Sequence, residues 1–100
     1  MDTLLRAISQ YPNGTDLIVE WKDGCTVLGD IDTIYESDNE LESDDEAYQE
    51  FHVCLLHVND IIGHTNEKEH FSKGDFIEIS MQKPPSRVRL KDKTIIWEQM

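Results

Sequence analysis

Leu4, Leu5, Ile8 and Tyr11 recur at helical spacing, which lays one apolar stripe along a short N-terminal helix. Asp2 or Thr3 stands where a short side-chain oxygen can accept from the unbonded N–H groups of a first turn. Pro12-Asn13-Gly14 ends that helix, because proline disfavours a helical residue before it and Asn-Gly favours a turn. The period then changes to two. Leu17, Val19 and Trp21 alternate with Asp16, Ile18, Glu20 and Lys22, a strand pattern. Asp23-Gly24 predicts a tight type I′ hairpin, and the second strand runs from Cys25 to about Tyr35, with Gly29 marking a bulge or bend.

Tyr48 to Val58 is the most apolar stretch and predicts a central strand, with Asn59-Asp60 turning the chain before Ile61-Ile62. Asp75 to Met81 predicts another strand. Gln82 to Ser86 contains adjacent prolines and reads as a rigid extended linker. The chain then closes on a hairpin, Arg87 to Leu90 and Thr94 to Glu98, around Lys91-Asp92-Lys93. This hairpin echoes Trp21-Lys22-Asp23-Gly24-Cys25-Thr26, and turn chemistry alone selects such residues without duplication.

A short N-terminal helix followed by five or six antiparallel strands predicts a mainly β (α+β) fold, as a small, partly open barrel or a strongly bent sheet. Lys73-Gly74-Asp75-Phe76-Ile77-Glu78-Ile79 looks like the loop-to-strand entry of SH3-like and OB-like small barrels. That resemblance covers residues 73–79, and it implies an architecture and no function.

Charge changes this picture most. The chain has 100 residues and a net charge of -12, and no Lys or Arg stands between Lys22 and Lys68. Residues 23–67 hold 13 acidic residues, whereas residues 68–100 hold 7 basic against 5 acidic. In the gap runs Glu36-Ser37-Asp38-Asn39-Glu40-Leu41-Glu42-Ser43-Asp44-Asp45-Glu46, too polar for a core. One domain is expected over 1–100, with an acidic flexible loop at 36–47 and a second polar loop at 63–74. Such acidity argues against direct grip on nucleic acid or an anionic membrane, both of which need Lys and Arg. Cys25 and Cys54 form no CxxC motif, and the N-terminus lacks the basic start and apolar stretch of a secretion signal. A cytoplasmic protein is expected.

Sharper chemistry fits poorly. A calcium loop started at Asp38 has Ser43 where the sharp turn needs glycine and Gln49 where a bidentate Glu belongs. On a strand, His52 and Cys54 share one face and His57 takes the other, so these three residues do not converge on a metal. Burial of Cys54 in an apolar strand disfavours the thiolate that a nucleophile needs. The closely spaced carboxylates all lie in the loop, where none is positioned as an acid–base pair. No cofactor, metal or enzymatic activity is expected. Trp21 and Trp97 read as core or barrel-mouth aromatics, and Arg87 and Arg89 as the wet face of an edge strand.

The expected function is protein binding. Clustered carboxylates at Glu36, Asp38, Glu40, Glu42, Asp44, Asp45 and Glu46 suit docking on a basic protein surface, as an inhibitor or immunity-type protein does. The alternative is an accessory small-barrel subunit of a larger complex, with the acidic loop as solvated spacer.

Overall fold

The computed structural model describes residues 1–63 and 72–99. Helix α1 (Thr3–Ser9) is followed by β1 (Asp16–Glu20), β2 (Thr26–Asp38), β3 (Glu50–Gly63), β4 (Phe76–Ile79), β5 (Arg87–Leu90) and β6 (Ile95–Glu98). All pairings are antiparallel, in the order β4-β3-β2-β1-β5-β6. The sheet is bent and not closed. Most of the expected second polar loop, with His64 and His70, lies outside the described residues.

At seven residues α1 is too short to be stable alone, so capping and packing hold it. The Asp2 carboxylate accepts from the Leu5 N–H at 2.8 Å, and Leu4, Leu5 and Ile8 are fully buried. The helix packs against both β3 and β6, which have three strands between them in the sheet. Only a strongly curled sheet brings both to one helix, so α1 fills its concave side. Trp97 fixes the contact from β6, its indole N–H donating to Thr3 Oγ1 at 3.1 Å. Leu17, Val19, Val27, Ile31, Cys54, Leu56, Val58, Ile79 and Val88 complete the core, with Trp21 and Trp97 packed against it.

Two local features explain the curl. Gly29 sits at a register shift against β3, and a Cβ there would lie 2.6 Å from the His57 carbonyl oxygen. Glycine therefore permits a close approach that any side chain would block. A second shift, between Ile31 and Thr33, leaves Asp32 as an extra residue in β2.

The hairpin at Asp23-Gly24 differs from the expected type I′ turn. Trp21 N–H bonds to the Cys25 carbonyl and Gly24 N–H to the Trp21 carbonyl, with positive φ at Gly24 but not at Asp23. This is a three-residue loop, a tight turn closed by one left-handed residue. The Leu90–Thr94 loop repeats it bond for bond, with Lys93 at φ 76°. In each loop the Asp carboxylate accepts from the N–H two residues on, at 2.9 Å. Shared turn chemistry thus accounts for the echo between the two segments.

Candidate docking arm

β2 and β3 outrun their neighbours. β1 pairs with β2 only from Thr26 to Asp30, and β4 pairs with β3 only from Cys54 to His57. Beyond those limits β2 and β3 pair, among the described residues, with each other alone, up to Asp38 opposite Glu50. The result is a two-stranded arm whose tip is the connection 39–49. Glu36 and Asp38, expected in a flexible loop, are therefore strand residues. Pairing with Phe51, His52 and Glu50 extends a segment whose own composition reads as loop.

The tip is tied by its own polar side chains. Asn39 N–H donates to the Gln49 carbonyl at 3.2 Å, and the Asn39 amide donates to the Ala47 carbonyl at 2.7 Å. The Asp38 carboxylate accepts from the Glu40 N–H and the Asp45 carboxylate from the Ala47 N–H, both at 2.8 Å. Glu40 takes a left-handed conformation at φ 65°. The expected acidic residues thus divide by role. Asp38 and Asp45 bond to backbone, whereas Glu40, Glu42, Asp44 and Glu46 are exposed and form no side-chain hydrogen bond or ion pair among the described residues.

The base of the tip gathers residues that the sequence reading did not single out. Glu36, Ser37, Asp38, Tyr48 and Glu50 line one shallow pocket of about 220 Å³. The Tyr48 hydroxyl donates to Glu50 at 2.9 Å, and this bond pushes its pKa up. Tyr48 and Glu50 lie at the far end of the acidic run, where the start of β3 brings them back beside Asp38. Spacing within the run itself gives no sign of that return.

The arm is braced on its outer face. The Tyr35 hydroxyl donates to Glu78 on β4 at 2.8 Å, and burial and then that carboxylate raise its pKa to about 12. Glu36 meets His52 across the strands at 3.4 Å, a partner charged only when protonated.

The Lys and Arg residues that form ion pairs among the described residues do so elsewhere. Arg87 pairs with Glu98 at 2.6 Å and Glu20 at 3.6 Å, and Arg89 pairs with Glu20 at 3.2 Å. Lys91 reaches Asp16 and Lys73 reaches Asp60. Among the described residues no Lys or Arg forms an ion pair with residues 36–50. The arm's negative charge therefore has no internal counterweight from those side chains.

The remaining candidates do not assemble into a reactive site. Cys54 is fully buried and its thiol is pushed up to about 12, by burial first and then by Asp32. His57 faces away from it, with Asp30 at 3.2 Å and the Phe76 ring at 5.0 Å. No helix among the described residues is long and apolar enough to cross a membrane.

Fold and site together define a small β protein that presents a two-stranded acidic arm. A family model described as "Cognate immunity protein YxxD" matches residues 1–100, and the chain belongs to that family. No curated protein matches the chain, and no solved structure does.

Proposed function

We propose that this immunity protein neutralises its cognate toxin by binding, with the acidic arm docked on a basic surface of the toxin. The observation behind the reading is that, among the described residues, the carboxylates of the tip have no Lys or Arg partner while Arg87 and Arg89 are held by Glu20 and Glu98. Their field is therefore directed at solvent, where it raises the association rate with a cationic cleft. The buried, protonated Cys54 offers no nucleophile, which fits inhibition by occupancy. Family membership favours this reading over an accessory subunit of a larger complex.

Calorimetric titration with the cognate toxin, taken as the product of the gene adjoining this one, tests the proposal. Neutralising Glu42, Asp44, Asp45 and Glu46 together as Gln and Asn is expected to weaken binding at least about tenfold at low salt. Unchanged affinity would remove the arm from the interface.

A further inference from the structure

We propose that the toxin contributes an extended, cationic segment that adds as a strand along the open edge of β2, from Ile34 to Asp38. This rests on the docking reading and specifies how the arm is engaged. On the side away from β3, backbone bonds from the described residues to β2 stop at Ile31, whose N–H and carbonyl meet Thr15 and Gly14. Among the described residues no strand lies against the remainder of β2 on that side.

The direction of its backbone groups follows from the ladder. Asn39 N–H points inward to Gln49, and alternation in an antiparallel pair then turns the N–H and carbonyl groups of Ile34, Glu36 and Asp38 outward. Such a row is a template for another strand. The outer strands β4 and β6 have only four residues each, whereas β2 extends to Asp38, in a strand of 13 residues. Pairing with β3 and the Tyr35–Glu78 bond already hold this edge extended, so little ordering is left for the binding step.

Charge selects the occupant. Asp32, Glu36 and Asp38 flank the edge, and it has neither the lysine nor the proline that commonly blocks strand addition. A second copy would place these carboxylates against their own equivalents. A strand with Lys or Arg at alternate positions would set them opposite Glu36 and Asp38, within reach of Glu50 across the arm.

Amide hydrogen exchange on the intact chain, alone and saturated with the cognate toxin, reads this directly. The Glu36 and Asp38 amides are expected to slow at least about a hundredfold on binding, because strand addition protects outward N–H groups. A paired substitution separates backbone from charge. Glu36→Pro removes an outward N–H that β3 does not use, and Glu36→Gln removes the charge alone; the proline variant is expected to bind about tenfold more weakly than the glutamine variant. Equal binding by two folded variants, or no added protection at Glu36 and Asp38, overturns strand addition while leaving the charge-based docking intact. Protection of those amides in the isolated chain, with dimers in sedimentation, also overturns it, since the edge would then be covered by a second copy. Should Glu36→Pro fail to fold, the exchange measurement decides alone.

Discussion

Asp38 and Glu50 face each other directly across the two strands of the arm. They form a non-hydrogen-bonded pair, the kind in which facing Cα atoms approach to about 4.5 Å and side chains lie closest. Like charges so placed oppose folding. Glu36 lines the same pocket, so three carboxylates meet where no Lys or Arg among the described residues forms an ion pair. A cation brought by a partner would relieve this repulsion.

The pair makes a trade between stability and binding measurable. Asp38→Asn keeps the oxygen that caps the Glu40 N–H and removes one of the opposed charges. It is expected to stabilise the chain by about 0.5 kcal/mol and to raise Tm by a few degrees, while weakening toxin binding. Thermal melts at low salt, beside a binding titration, check both halves. A lower Tm would mean that the repulsion is already relaxed in the free protein.

Tyr35 braces the arm through Glu78. Tyr35→Phe is expected to cost about 0.5–1 kcal/mol in urea unfolding, and Glu78→Gln, which keeps an acceptor, about half of that. Equal losses from both would show that charge on Glu78, and not the hydrogen bond, holds the contact.

Gly29→Ala is expected to cost about 3 kcal/mol, because the new methyl group would overlap the His57 carbonyl and the Leu56 side chain. Urea unfolding measures it. A loss below about 1 kcal/mol would mean that β3 can move away from β2 at this point, and that the curl is softer than the close contact indicates.

Stability is expected to fall as the solution becomes strongly alkaline. Folding raises Cys54 from 9.0 to about 12 and Tyr35 from 10.0 to about 12. The folded chain therefore holds protons that the unfolded chain has released. The stabilisation is whole below pH 9.0, declines first through Cys54 and then through Tyr35, and is lost by about 12. Cys54→Ala, whatever its cost at neutral pH, is expected to flatten the decline between pH 9 and 10. Urea midpoints across that range provide the check.

What the sequence made legible follows from local physics. The Asp2 cap, the Leu4–Ile8 stripe and the β1 alternation are decided within a few residues, and each stands in the structure. Asn59-Asp60 and Glu36–Asp38 have the composition of chain breaks, yet both lie inside strands. There the partner strand determines the outcome. The apolar face of β3 recruits β2 along its length, and β2 in turn carries Asn59 and Asp60 through; Asn59 even bonds to Asp30 at 2.8 Å. The same non-local pairing hid Tyr48 and Glu50, which join the candidate site only because a hairpin folds them back on Asp38.

The central claim, that the arm's uncompensated charge brings the toxin in, is tested most directly by association kinetics at two salt concentrations. Stopped-flow rates with the cognate toxin would be compared for the native chain and the variant neutralised at Glu42, Asp44, Asp45 and Glu46. At about 20 mM salt the native chain is predicted to associate at least about tenfold faster than the variant, with the gap closing near about 500 mM as screening shortens the reach of the field. Identical rates at low salt, or a gap that persists unchanged at high salt, would contradict the account.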